Sequence, residues 1–183
     1  MNRGTSWGLS AVLFVALFSM VSNAAQCGPV DRDSPEAVKE EVTRLFNKTL
    51  DAMEYVLPSG TRAATWRGWE QSTQDQITCL GATAVSSTTE LLSRTARPFG
   101  RFLAVHMLSW EGGPDIVPPL AAVLAKPGNP EKLDSVKLAA LEALTAAPRD
   151  KALPVVEQVL RSEQNPELLK AATRIKLSLE ESR

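Results

Sequence analysis

The chain of 183 residues contains one histidine, His106, and two cysteines, Cys27 and Cys79. Neither the Cys/His ligand sets of zinc sites nor the two-histidine helical motif can be assembled from those three residues. The cysteines lack the Cys-x-x-Cys redox spacing, no Gly-x-Ser-x-Gly elbow exposes a serine nucleophile, and no glycine-rich loop is present to cradle a phosphate. No metal or cofactor is therefore expected. An excess of one charge is also missing. Twenty Lys and Arg stand against 21 Asp and Glu, a formal net charge of -1, so nothing in the overall balance favours nucleic acid or an anionic membrane. Hairpin dipeptides such as Asn-Gly and Asp-Gly are absent and β-branched runs are short, whereas alanine and leucine supply 23 residues each. The expected fold is all-α. At 44% hydrophobic and 22% charged, the composition is that of an ordinary globular domain.

The first residues divide into a short start carrying Arg3, an apolar run from Leu9 to Val21, and the small polar stretch Ser22-Asn23-Ala24-Ala25. That is the layout of a secretory signal peptide. The run is about thirteen residues, short of the roughly 20 that a membrane-spanning helix needs. Ser22 and Ala24 are small and two apart, which places the cut after Ala24. Residues 1–24 are then a signal peptide and the protein is periplasmic or secreted. An uncleaved N-terminal anchor and acylation at Cys27, where Gln26 stands in place of the usual small residue, are the alternatives. In an oxidising compartment Cys27 and Cys79 would pair. Closing that loop would restrict the unfolded chain by about 4 kcal/mol in the loop-entropy account. The alternative for Cys79 is a small buried hydrophobe.

Proline and serine punctuate the rest. Ser34-Pro35-Glu36 reads as a cap, a first helical residue and a favourable charge at a helix start. The helix that follows has Val38, Val42, Leu45, Phe46, Thr49, Met53 and Val56 on one face, and stops at Pro58-Ser59-Gly60. Residues 61–72 read as a short helix or a loop, since Gly68 sits between Trp66 and Trp69 and no period dominates. With Ser72 as cap, one helix is expected from Thr73, carrying Cys79 and the apolar positions Ile77, Leu80, Ala84, Val85, Leu91 and Leu92. Pro98 opens another, in which Phe99, Phe102, Leu103, His106, Met107 and Trp110 form one stripe before Gly112-Gly113-Pro114.

Writing residues 117–144 over 153–180 makes eight of 28 positions identical. Pro118 meets Pro154, Val123-Leu124 meets Val159-Leu160, Asn129-Pro130-Glu131 meets Asn165-Pro166-Glu167, Leu133 meets Leu169, and Leu141 meets Leu177. Each copy reads as a short helix with proline in its first turn, a polar turn, an Asn cap and a second helix. The apolar positions of that second helix are Leu133, Val136, Ala139 and Ala143, or Leu169, Ala172, Ile175 and Leu179. The same offset backwards suggests a degenerate third unit near residues 77–110. In this pattern the chain resembles the HEAT-like α-solenoids, whose antiparallel helix pairs stack to bury a shared core. The resemblance implies an N-terminal helical region over 25–113 capping two helix-pair repeats over 114–183, and a binding or scaffold role.

His106 lies on the apolar stripe with no carboxylate or nucleophile placed beside it in sequence, so it reads as a packing or groove-lining residue. A recognition patch can be composed from Trp66, Arg67, Trp69, Arg94, Arg97, Arg101 and Trp110, because tryptophan and arginine dominate binding hot spots. The competing reading is that the tryptophans fill a helix junction under arginine stems. The expectation is a non-catalytic exported module that binds another protein or peptide. A structural accessory subunit of an envelope complex, or an enzyme with an unfamiliar site near His106, are the rivals.

Overall fold

A computed structural model describes residues 30–59, 64–129 and 134–181, except for the side chains of 53–59 and 64–70. The described chain is all-helical, and its helices pack against one another. Helix α1 (Pro35–Ser59) starts as the sequence implies, with Ser34 Oγ accepting the Ala37 N–H at 3.3 Å. Val38, Val42, Leu45, Phe46 and Leu50 turn one face inward.

Helix α2 (Ala64–Leu80) runs through most of the segment left open as helix or loop, and Ser72, the expected cap, is an interior residue. Gln76 Nε2 donates to the Ser72 carbonyl at 3.0 Å, as a residue one turn on can. An interior glycine such as Gly68 costs about 1 kcal/mol. The packing of α2 on α1 offsets it, with Thr49 and Thr73 joined by a buried 2.8 Å hydroxyl bond. The single helix expected from Thr73 to Leu92 is in fact two. Gly81 takes φ +56°, a conformation glycine adopts without strain, and a 3-10 turn (Gly81–Ala84) redirects the chain into α3 (Val85–Arg94).

Helix α4 (Pro98–Glu111) begins at its proline and ends at Gly112 and Gly113, both with positive φ. A 3-10 turn (Pro114–Ile116) leads to α5 (Val117–Leu124). The expected Asn cap of the first repeat is not what starts the next described helix, α6 (Ser135–Ala143). Asp134 does so instead, its extended backbone letting Oδ1 accept from Val136 and Lys137 N–H at 2.9 and 3.2 Å. Pro130, Glu131 and Leu133 lie outside the described residues. A short turn (Leu144–Ala146) precedes α7 (Arg149–Ser162) and α8 (Pro166–Glu181). Here Asn165 does cap, accepting from Glu167 and Leu168 N–H. Pro154, however, is interior to α7 rather than in its first turn, because that helix already starts on the Pro148 carbonyl.

The chain packs as successive pairs, α1 with α2, α3 with α4, α5 with α6 and α7 with α8. Contact between pairs runs through the second helices, α2 on α4, α4 on α6 and α6 on α8, and also through first helices, α1 on α3 and α4 and α5 on α7. Helix α6 lies at the centre. Val136, Ala139, Ala140, Leu141 and Ala143 are all buried, so it is apolar nearly all round, as a helix enclosed by neighbours must be.

Candidate functional site

The expected stripe on α4 divides. Leu103 and Met107 enter the core with Ala104, Val105 and Leu108, whereas Phe99 is 46% exposed and Phe102, His106 and Trp110 are half-buried. At 3.6 residues per turn these four rings fall within an arc of about 80°. The Phe102 and His106 ring centroids are 4.4 Å apart at an interplanar angle of 64°, and His106 lies 6.3 Å from Trp110. His106 is thus one rung of a half-open aromatic ladder. The lower end of the ladder is tied to α2, where Thr78 Oγ1 donates to the Trp110 carbonyl at 3.4 Å.

The residues composed into a recognition patch are not all brought together. Arg94, exposed at the end of α3, already pairs with Glu90 at 2.6 Å, and Glu90 also takes Lys39 at 2.6 Å. The hydrogen bond from Lys39 holds the Glu90 carboxyl below its ordinary range. Arg97 is exposed at the N-cap position of α4, and Arg101 is half-buried one turn in. Arg101 lines a cavity of about 360 Å³ with Pro98, Asn129 and Asp134. At 1.5 Å of rise per residue, Arg101 and Trp110 stand about 14 Å apart along α4. Arg101 lies about 100° or more round the helix from the four rings, toward Asn129 and Asp134, and Trp110 stands near the other end of α4. Trp66, Arg67 and Trp69 fall in the first turns of α2, and their side chains lie outside the described ones. Cys79 is half-buried in the last turn of α2 and is not a free thiol. Cys27 lies outside the described residues, and so do residues 1–24.

Two charged features escaped the sequence reading. Glu111, the last residue of α4, turns into the body of the protein, where Thr88 Oγ1 of α3 hydrogen-bonds to its Oε1. Its Oε2 is buried with no partner among the described residues. Burial pushes the carboxyl up to about 8, and the Thr88 hydrogen bond only partly opposes that. The second feature is Lys137 of α6, buried and bonded through Nζ to Glu163 Oε2 at 2.8 Å. Burial raises the Glu163 carboxyl, but Lys137 and the N–H groups of Asn165 and Gln164 outweigh it and leave the group below its ordinary range. A lysine in the otherwise apolar run Val136 to Leu141 was a signal for such a pair, since buried charge must be partnered.

Among the described residues no group of three His, Cys, Asp or Glu side chains converges as a metal site requires. No described helix is long and apolar enough to cross a membrane. No family model, curated protein or solved structure matches this chain.

Proposed function

We propose that this chain is an exported, non-catalytic module that binds another protein or peptide, built as a short α-solenoid of stacked helix pairs. The observation that carries the reading is the aromatic ladder Phe99, Phe102, His106 and Trp110, left half-open on α4 while Leu103, Ala104, Val105, Met107 and Leu108 are buried. Aromatic groups with one wet face are what binding hot spots are made of. The pairwise packing through α2, α4, α6 and α8 supports the solenoid, because stacked repeats touch their immediate neighbours. In this reading the leader over 1–24 is removed on export and Cys27 pairs with Cys79, pinning the mature N-terminus to the end of α2.

The double variant Phe102→Ser, Trp110→Ser tests the role of the face. Circular dichroism should show the helical content kept at a lowered urea midpoint, since both side chains are half-buried and pack against the edge of the core. Partner recovered from native envelopes with the parent protein should fall by about tenfold or more, as loss of hot-spot residues worth over 1 kcal/mol each implies. Equal recovery by parent and folded variant would remove the ladder from the binding surface.

A further inference from the structure

The buried pair of Lys137 and Glu163 borders a cavity of about 410 Å³ that nothing above explains. Helix α5 and helix α7 both end at its rim, and its lining includes Lys126, Gly128, Gln158 and Gln164. The two partners are used unequally. Glu163 is satisfied, with Oε2 on Lys137 Nζ at 2.8 Å and Oε1 on the N–H groups of Gln164 and Asn165 at 2.9 and 3.1 Å. The ammonium of Lys137 has three N–H donors, and among the described residues only Glu163 takes one. Its side chain is 5% exposed, so open solvent does not freely serve the other two. A buried donor left unserved is costly.

Access to that ammonium depends on one residue. A Cβ added at Gly128 would stand 3.3 Å from Lys137 Nζ and 3.6 Å from its Cε. Gly128 therefore leaves open the space directly over the charge. The cavity is of the size that holds small ligands. Its lining carries two lysines and one glutamate, a formal charge of +1. Glu163 balances Lys137, so the net charge is that of exposed Lys126, which faces the partial negative charge of the α5 and α7 C-terminal ends. The two oxygens of one carboxylate match the two Lys137 donors that no described residue takes.

We propose that the Lys137 cavity is a binding site for one carboxylate group, borne by a small molecule or by the C-terminus of a peptide. Lys126 supplies the net charge and Lys137 two N–H donors, Glu163 holds Lys137 in place, and Gly128 keeps the entrance clear. The proposal is independent of the aromatic face on α4, which lies in another helix pair.

Backbone amide spectra of the full chain, titrated with sodium acetate at constant ionic strength in chloride, read the site directly. Saturable shifts should appear at Gly128, Lys137 and Gln164, and acetamide, which has the same shape without the charge, should produce none there. Gly128→Val should weaken acetate binding at least about tenfold while keeping the ion pair, and Lys137→Met should abolish it. If Lys137→Met does not fold, Gly128→Val decides alone. An N-acetylated tripeptide with a free C-terminus, set against its amide, separates the two sources. Tighter binding than acetate assigns a peptide terminus, and binding of acetate alone assigns a small free acid. The proposal is overturned if neither acetate nor the peptide gives a saturable shift, if acetamide equals acetate, or if Gly128→Val binds as the parent does. Retained acetate binding in Phe102→Ser, Trp110→Ser would keep this result separate from the fate of the aromatic face.

Discussion

Replacing Glu111 by glutamine should leave stability nearly unchanged at pH 5 and raise it by several kcal/mol at pH 9. The carboxyl ordinarily titrates at 4.5 but in the folded protein is pushed up to about 8. A group whose folded value lies above its unfolded one favours folding fully below the unfolded value, and that contribution is lost as pH rises toward the folded one. The window is therefore about pH 4.5 to 8. At about 1.4 kcal/mol per unit, the loss across it is on the order of 5 kcal/mol. The cause is local. Glu111 sits at the C-terminal end of α4, where a negative charge also meets the partial negative charge of the helix, and among the described residues only Thr88 hydrogen-bonds to it. Glutamine keeps an oxygen for Thr88 and cannot ionise. Urea unfolding of parent and variant at pH 5, 7 and 9 measures the difference, which cancels the titration of groups common to both. A difference that stays constant over that range would mean that Glu111 is ionised and solvated in the folded protein.

The second large effect concerns Glu163. Its removal as Glu163→Ala should destabilise the fold by about 3 to 5 kcal/mol, because Lys137 is left charged and buried without a partner. The N–H groups of Gln164 and Asn165 lose their acceptor as well, at the entry to α8. The double variant Lys137→Met, Glu163→Gln should recover most of that loss. Methionine fills the buried stem of the lysine, and the glutamine oxygen still accepts from the two backbone groups. Thermal or urea unfolding of the two variants reads both numbers. A cost below about 1 kcal/mol for Glu163→Ala would place the pair among solvent-screened surface bridges such as Lys151 with Asp150, where both side chains are more than half exposed.

How far the sequence could be read depended on which residue carried each signal. The boundaries of α4 were legible because Pro98 opens it and Gly112-Gly113 closes it. Its inward face was not, because hydropathy ranks Phe99, Phe102 and Trp110 with Leu103 and Met107. The packing is decided by small residues instead. At Gly100 an added Cβ would lie 2.5 Å from Thr95 Oγ1 and 3.4 Å from Phe46 Cζ, so α4 approaches its neighbours along the side of Gly100 and Ala104. The large rings are left on the open side. Within the two aligned segments the helix starts differ. Asn165 caps as the alignment implied, whereas α6 starts on Asp134, a position the alignment pairs with Lys170. Glu111 was invisible for a different reason. A glutamate before two glycines reads as a solvent-facing helix end, and only the position of α3 buries it. Of the residues composed into a recognition patch, Arg97 and Arg101 both stand near the start of α4, and their distance from Trp110 is a matter of helical rise that the sequence span already contained.

The claim that the open face of α4 is where this protein meets its partner can be measured without knowing the partner. A photoreactive phenylalanine analogue placed at Phe99 reports what touches the face in the cells that make the protein, and the same analogue at Arg161, exposed on α7, reports the background. The expected result is a discrete adduct of defined mass from position 99, absent from position 161 and lost when Phe102 and Trp110 are changed to serine. Adducts of the same mass and yield from both positions, or none from position 99 in cells that make the folded protein, would contradict it.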